Sequence, residues 1–422
     1  MLTTRPRGTN DLLPDDSYRW RALEGIIHQV CADYGYQEIR TPVFEHTELF
    51  ARGVGETTDI VEKEMYTFMD RGERSLTLRP EGTAPTVRAF LEHKMYAQTQ
   101  PTKLYYIGPM FRYGRPQAGR FRQFHQFGVE AFGSNDPALD GEVICLAMDF
   151  YARLGLKNLN LLLNSVGCPG CRARHKELLH QYLEPRKEEL CTTCLGRFER
   201  NPLRIFDCKS DVCSQIVKGA PTIVASLCDE CATHFQEVQQ YLQAAGVKYE
   251  LAPDLVRGLD YYTNTAFEIV VEGIGAQSAI GGGGRYNGLV EQVGGQPVPG
   301  IGFGLGLERI LLALEEQGVD LVQGVDPDVF VAVSGPSVKP AAFRLVAELR
   351  SQHLKTEMDY LNRSMKAQLK YAGKNNYRYV VIIGEEELAQ NQVAIKDMST
   401  GEQHNVALNG VVSYLAERLS RV

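Results

Sequence analysis

Apolar residues recur along the chain with two spacings, and each spacing predicts a different element. Between residues 17 and 30 they recur every three or four positions, which predicts an amphipathic helix. Its apolar positions are Trp20, Leu23, Ile26, Ile27 and Val30. A strand is predicted from Tyr36 to Phe44, and Pro42 favours a sheet edge because proline lacks a backbone donor. Such an edge can meet its own copy across a two-fold axis, and an ordinary edge explains the pattern equally well.

A long β-hairpin is predicted in the middle of the first half. Residues 104–107 are an apolar run, and residues 124–130 alternate with a period of two, with Gln126 and Glu130 on one face. The segment between these strands contains glycine and proline, which favour a turn, and four arginines, whose planar donor groups suit phosphate. These arginines are Arg112, Arg115, Arg120 and Arg122. A solvated charged loop is the alternative explanation for the arginines alone.

A second turn follows a strand that ends at Leu78, and it carries an acidic residue. Glu81 and Thr83 could bind an ammonium group there. They could equally cap the helix that follows, which is the commoner arrangement.

Two glycine-rich segments lie in the second half of the chain. Residues 281–284 are consecutive glycines, and glycines alternate from 300 to 306 before a helix that contains Arg309. Glycine lets the backbone come close to a ligand, although a glycine run alone is a weak phosphate signal. The chain contains no Walker sequence, and no strand–turn–helix GxGxxG supports a Rossmann site. Upstream, Arg257 precedes Tyr261 and Tyr262, although two tyrosines are more often core residues than ligands.

Composition narrows the class of protein. The 422 residues carry a net charge of −7, which argues against wholesale coating of nucleic acid but does not exclude a local basic patch. We find no apolar run near 18 residues and no secretory signal, so we expect no membrane span and a cytoplasmic enzyme.

Eight of the ten cysteines lie between residues 168 and 231. Without a secretory signal, such clustering favours metal over disulfides. Three CxxC pairs suit zinc, while reduced cysteines in a small helical insertion are an equal alternative. The best single ligand set is Cys191, Cys194, Cys228 and Cys231.

A separate α/β domain is predicted at the end of the chain, after a linker at 315–327. Residues 329–333 and 379–383 are continuous apolar runs, which suit buried parallel strands. Four basic residues fall at helical spacing in this domain, where a solvated face is the usual explanation. They are Arg363, Lys366, Lys370 and Lys374.

These segments, in order, resemble the class II aminoacyl-tRNA synthetases, and within them the histidyl-tRNA synthetase family. The helix and edge strand resemble motif 1, the hairpin FRYGRPQAGRFRQFHQFGVE resembles motif 2, and the alternating glycines with Arg309 resemble motif 3. LVRGLDYYTNTAF and AIGGGGRYNGL resemble segments of the histidine site. The family often has a glutamate where this chain has Gly114.

The resemblance implies an α+β fold with an antiparallel-sheet catalytic domain. That domain would comprise residues 1–165 and 250–320, with the cysteine-rich insertion at 166–249. Residues 326–422 would be an α/β anticodon-binding domain, whose basic face is a candidate tRNA contact. The resemblance also implies a homodimer.

The implied activity is that of a histidine–tRNA ligase, which uses ATP and Mg²⁺ to make histidyl-adenylate and transfers histidine to the 3′ end of tRNA(His). Arg112 and Arg257 would bind the α-phosphate and the carboxylate, and Arg309 the γ-phosphate. The α-amino group would be bound by Glu81, Gly82, Thr83 and Gln126. Glu130 and Tyr262 would bracket the imidazole, with Tyr261 and Tyr286 closing the pocket. Arg115 and Gln117 would contact the tRNA acceptor end.

A non-catalytic alternative is a synthetase-like regulatory subunit of histidine biosynthesis. Such proteins typically lack the C-terminal domain, and their ATP-binding and tRNA-binding residues are degraded. Here that domain and all three arginines are present. The sequence therefore favours the ligase.

Overall fold

The computed structural model describes residues 3–54, 58, 60–206, 208, 210–271, 279–321 and 327–419. The chain divides into two units, Met1–Leu321 and Val322–Val422. Residues 322–326 of the predicted linker lie outside the described residues. Within the described ranges, no helix has the length and apolar character needed to cross a membrane.

The first unit contains both strands and helices. Its strands are β1 (Gln37–Glu38), β2 (Phe44–His46), β3 (Tyr66–Met69), β4 (Ser75–Leu78), β5 (Thr102–Phe111), β6 (Gln123–Phe132), β7 (Leu159–Ser165), β8 (Glu250–Leu251), β9 (Thr263–Val271), β10 (Ala279–Arg285) and β11 (Gly300–Gly306). Its α-helices are α1 (Pro14–Asp33), α2 (Thr47–Val54), α3 (Thr83–Glu92), α4 (Pro137–Arg153), α5 (Pro169–Leu183), α6 (Thr192–Arg200), α7 (Asp211–Val217), α8 (Asp229–Ala244), α9 (Leu289–Gln292) and α10 (Leu307–Glu316).

The described strands of this unit build a large sheet in the order β1-β5-β6-β11-β10-β9-β7-β8. Neighbouring strands are antiparallel except at the two edges, where the short strands β1 and β8 run parallel to β5 and β7, respectively. Helices α1, α4 and α10 cover one face, and the apolar positions predicted for α1 supply Trp20, Leu23, Ile27 and Val30 to the core. The antiparallel α+β fold is thus confirmed.

The single strand predicted from Tyr36 to Phe44 is wrong. Only Gln37 and Glu38 pair with β5, whereas Phe44 begins β2 in a smaller sheet of order β2-β4-β3. Between them, the carbonyls of Thr41 and Pro42 accept hydrogen bonds from Arg79 Nη1, at 2.9 and 3.3 Å. Because a buried arginine uses this backbone, the segment joins neither sheet.

The cysteine-rich segment is inserted between two neighbouring strands. β7 and β9 are antiparallel, with Ser165 opposite Thr265, and β8 returns beside β7 with Glu250 opposite Leu162. Helices α5 to α7 then pack around a small core of their own. Its fully buried residues include Leu179, Leu183, Cys194, Phe198, Ile205 and Cys213.

The second unit is an α/β domain, as predicted. Its strands are β12 (Val329–Ser334), β13 (Thr356–Met358), β14 (Tyr379–Gly384), β15 (Gln392–Asp397) and β16 (Gln403–Ala407), in the order β13-β12-β14-β15-β16. Its α-helices are α11 (Lys339–Ser351), α12 (Met365–Lys374), α13 (Glu385–Ala389) and α14 (Val411–Leu419). β12 and β14 pair in parallel, which explains their continuous apolar sequences.

The predicted basic face of this domain requires one correction. Lys366, Lys370 and Lys374 are exposed on α12, whereas Arg363 precedes the helix. Its guanidinium donates to Asp359 at 2.8 Å and packs over the Tyr371 ring. Arg363 is therefore held by a local ion pair and does not extend the helical row.

Candidate active site

A cleft of about 780 Å³ lies over the exposed face of the large sheet. Ten predicted site residues line it: Glu81, Thr83, Arg112, Arg115, Gln117, Gln126, Arg257, Tyr261, Tyr262 and Arg309. Gly82, Glu130 and Tyr286 are buried around it. Six arginines and four glutamates stand among the described lining residues, so the cleft favours an anionic ligand.

The alternating glycines of β11 form the floor of the cleft. On one face of β11, Ile301, Phe303 and Leu305 enter the core, and on the other face there is no side chain. Gly302 lies opposite Glu130, and a Cβ there would come within 2.1 Å of Glu130 Oε2. The glycines therefore leave room for the functional side chains of β6.

Glu130 is a completely buried carboxylate surrounded by hydroxyl groups. Thr83 Oγ1 donates to its Oε1 at 2.7 Å, Tyr106 donates to the same oxygen at 3.3 Å, and Tyr286 donates to Oε2. Burial raises the pKa of Glu130 to about 8, because the charged form loses its hydration. In its ionised form Glu130 uses three of about four acceptor positions for these hydroxyl groups, which leaves one for a ligand donor.

Glu81 is also buried, and it does cap helix α3. Its two carboxylate oxygens accept from the backbone nitrogens of Thr83, at 2.7 Å, and Ala84, at 2.9 Å. Burial raises the pKa of Glu81. At the intervening Gly82, a Cβ would lie 2.2 Å from Tyr106 Cζ, so this position has no room for a side chain. Glu81 also lines the cleft, where it can meet a ligand.

Two arginines are positioned by their neighbours before any ligand arrives. Arg112 Nε donates to the Pro80 carbonyl at 2.7 Å, and Arg257 Nη1 forms a 2.6 Å ion pair with Glu268. Burial lowers the pKa of Arg112, although the group stays charged at neutral pH. Two buried polar atoms nearby have no hydrogen-bond partner among the described residues, namely Gln126 Oε1 and Arg257 Nε.

The hairpin tip carries the two residues predicted to contact tRNA. Arg115 and Gln117 are exposed at the cleft margin, and Gln117 pairs with Arg120 across a tight turn. At Gly114, a Cβ would lie 3.6 Å from Glu64 Oε1. Glu64 thus supplies a carboxylate close to the position where the family often has one.

Sequence reasoning missed several polar residues of the cleft. Tyr106 is on β5, opposite Gly128 of β6. Its apolar neighbours in the sequence suggested a core residue. Glu268 and Glu308 face the cleft from β9 and α10, and Glu308 accepts from the backbone and ring nitrogens of His125 at 2.9 Å. The alternation of β9 was a usable signal for Glu268, since this residue interrupts the apolar residues from Ala266 to Val271.

The prediction that Cys191, Cys194, Cys228 and Cys231 form one zinc site is wrong, because the two pairs belong to different groups of sulfurs. Within the described residues, the sulfurs form two separate groups whose Sγ atoms lie within 4.8 Å of one another. The root cluster comprises Cys168, Cys171, Cys228 and Cys231, and the inner cluster comprises Cys191, Cys194, Cys208 and Cys213. The set failed because the start of α8 lies beside the start of α5, where the backbone nitrogen of Cys228 donates to Cys171 Sγ, so that the first and third CxxC pairs meet.

The fold agrees with comparisons to known proteins. The family profile "Histidyl-tRNA synthetase" matches residues 8–182 and 213–310, and "Anticodon binding domain" matches residues 328–418. The chain is 65% identical to the histidine–tRNA ligase of Moorella thermoacetica over 98% of both chains. The chain belongs to the histidyl-tRNA synthetase family.

Further relatives agree over the full length. The chain is 60% identical to the histidine–tRNA ligase of Desulforamulus reducens, over 99% of this chain and all of the other. Among solved structures, apo histidyl-tRNA synthetase of S. aureus is 42% identical with a TM-score of 0.84, over 98% of this chain and 100% of the other. Residues 183–212, which carry three inner-cluster cysteines, lie outside the family profile's match.

The pKa of Glu130 predicts a pH dependence of stability. Between about pH 4.5, where a free glutamate loses its proton, and pH 8, the folded chain holds a proton that the unfolded chain releases. The free energy of unfolding contributed by Glu130 should therefore fall as pH rises through this interval. Glu130→Gln should remove this pH-dependent contribution. The melting temperature of the variant minus that of wild type should therefore be larger at pH 8 than at pH 5.5.

Differential scanning calorimetry at several pH values measures this difference. Glu348→Gln, a change at an exposed glutamate of α11, is the matched control and should run parallel to wild type. Parallel curves for Glu130→Gln as well would contradict the assignment.

Proposed function

We propose that this chain is a cytoplasmic histidine–tRNA ligase, which activates histidine with ATP and transfers it to the 3′ end of tRNA(His). The observation that carries the proposal is a single cleft that joins buried carboxylates to positioned arginines. The high identity to histidine–tRNA ligases over the whole chain supports the same conclusion.

The acidic half of the cleft suits histidine. An α-ammonium group needs acceptors. Gln126 Oε1 is a buried acceptor that receives no hydrogen bond from the described residues, and Glu81 and Thr83 line the same cleft. The imidazole N–H would use the remaining acceptor position of Glu130, with Tyr262 on the other side. Tyr261 packs against both Tyr262 and Tyr286, so it would close the pocket.

The basic half of the cleft suits ATP. Arg112 and Arg257 would offset the charge that develops as the histidine carboxylate attacks the α-phosphorus, and Arg309 would bind the γ-phosphate. Because Pro80 and Glu268 already position two of these guanidinium groups, little reorganisation is needed during the reaction. The protein thus contributes mainly orientation and charge.

Magnesium would accompany the nucleotide. Glu268 and Glu308 are carboxylates on the side of the cleft that holds Arg309, and such oxygen donors fit this hard cation. When bound, Mg²⁺ would neutralise phosphate charge. We propose these two residues as its protein ligands.

The tRNA would be contacted by residues of each unit. Arg115 and Gln117 are exposed at the cleft margin, where they would contact the acceptor end. The exposed lysines of α12 would bind the anticodon arm through its phosphates.

Amino-acid-dependent exchange of pyrophosphate into ATP, without tRNA, tests the adenylation step. We expect exchange with histidine alone among the twenty amino acids, because buried polar groups left unpaired by a misfit reject it by about 10⁴–10⁵-fold. On the same grounds we propose that no editing activity is present. Folded protein that gives no exchange with Mg²⁺ present would favour the regulatory-subunit alternative.

Replacement of Arg257 tests its role in that step. Arg257→Ala should lower the exchange rate by about 10²–10³-fold, since one preorganised charge donor is lost. Arg153→Ala, a change at a surface arginine of α4, should leave the rate unchanged. An unchanged rate for Arg257→Ala in folded protein would remove Arg257 from this role.

We also propose that the chain forms a homodimer through the small sheet. One face of this sheet carries Phe44 and Phe68, which are 49% and 44% exposed, on either side of Leu76 and Leu78. On the opposite face, threonine and serine hydroxyls are hydrogen-bonded to one another. An exposed apolar sheet face of this kind is typical of an interface.

The dimer can be tested by light scattering. Wild-type protein should have twice the 47.1 kDa mass of one chain. Phe68→Asp should shift the mass towards one chain, because a charge would be buried at the interface. Phe343→Asp changes an exposed phenylalanine of the other unit and is the control. A wild-type mass of one chain at micromolar concentration would refute the proposal.

A further inference from the structure

The sulfur positions in the two cysteine clusters match single-ion geometry. In a tetrahedral zinc site with Zn–S bonds of about 2.3 Å, the sulfurs lie about 3.8 Å apart. Cys168 and Cys171 Sγ are 3.5 Å apart, and Cys191 and Cys208 Sγ are 3.8 Å apart. Each cluster supplies four thiols, and among the residues that the structure describes no carboxylate or imidazole joins either group. Four sulfur ligands at this spacing favour zinc over magnesium or calcium.

Backbone donors around the sulfurs provide a second observation. Cys171 Sγ accepts from the backbone nitrogen of Cys228 at 3.1 Å, and Cys213 Sγ accepts from that of Cys191 at 3.3 Å. Amide donors of this kind offset thiolate charge and orient the ligands of a metal. In each cluster, the backbone nitrogen that donates belongs to a cysteine of the same cluster. Backbone and side chains of each cluster are therefore arranged around a common centre.

The position of the root cluster also suits a structural metal. Its members come from the start of the insertion and from α8, so one ion would join the two ends of the inserted segment. Next to it, Arg172 donates to the carbonyls of Asp260 and Tyr262, at 3.2 and 3.1 Å. Arg172 directly follows Cys171 of the root cluster, so the residue next to this cluster contacts the backbone of the predicted histidine-site segment.

The inner cluster lies within the small core of the insertion. Two of its cysteines, Cys194 and Cys213, are fully buried there, in a core too small to be stable on apolar contacts alone. Arg204, which lies between its second and third cysteines, donates to the Gly258 carbonyl at 2.8 Å and to Asp260 at 3.1 Å. Both clusters therefore support the same segment, residues 258–262, from the insertion side.

We propose that the insertion binds two structural zinc ions, one in the root cluster and one in the inner cluster, each through four cysteine thiolates. The ions fold the insertion and fix the segment that carries Tyr261 and Tyr262.

Zinc content of the full-length protein, purified without chelators, tests the proposal. Inductively coupled plasma mass spectrometry should give two zinc ions per chain in wild type. The double variant Cys208→Ser/Cys213→Ser should retain one, and so should Cys168→Ser/Cys171→Ser. If Cys191, Cys194, Cys228 and Cys231 formed one site, neither double variant would lose zinc. Cys145→Ser changes a cysteine outside both clusters and should keep two.

Wild-type protein alone provides a second test, which stands if a double variant does not fold. X-ray absorption at the zinc edge should show four sulfur neighbours at about 2.3 Å and no nitrogen or oxygen neighbour. A thiol-blocking mercurial should release two zinc ions per chain to a colorimetric chelator. Release of one ion or none, iron in place of zinc, or intact masses that reveal disulfides would overturn the proposal.

Discussion

Burial of the Glu130 carboxylate is the constraint on which the rest of the cleft depends. A carboxylate away from water is stable only where donors surround it, and here Thr83, Tyr106 and Tyr286 supply them from three different elements. The same site requires that the neighbouring strand bring no side chain, which Gly302 satisfies. The glycine pattern and the hydroxyl groups therefore both serve to accommodate the buried Glu130 side chain.

Elements with strong local signals could be predicted from the sequence. The apolar spacing of α1 and the arginine-rich hairpin both follow from periodicity, and the structure has both. The resemblance named thirteen residues around a common site, and the structure gathers all of them in or around one cleft.

What could not be predicted depended on contacts between distant segments. Tyr106 is ordinary in its own strand and becomes a donor to Glu130 only because that carboxylate lies within reach across the hairpin. The two edge segments around Pro42 separate because Arg79, far along the chain, uses their carbonyls. Likewise, CxxC spacing identifies pairs of ligands but not which pairs meet, since this depends on how the starts of α5 and α8 come together.

The pairing of β7 with β8 and β9 has a consequence for how this family can change. The chain leaves the sheet after Ser165 and returns at Glu250, directly beside the strand it left, so the two ends of the insertion are fixed by strand pairing. Loop-closure entropy grows only slowly with length, so the loops between α5 and α8 can lengthen or shorten at little cost to the sheet, whereas α8 itself packs in the core on that sheet. Evolution or an engineer can therefore add residues in these loops, away from Arg172 and Arg204, without disturbing the strand pairing or the contacts with residues 258–262.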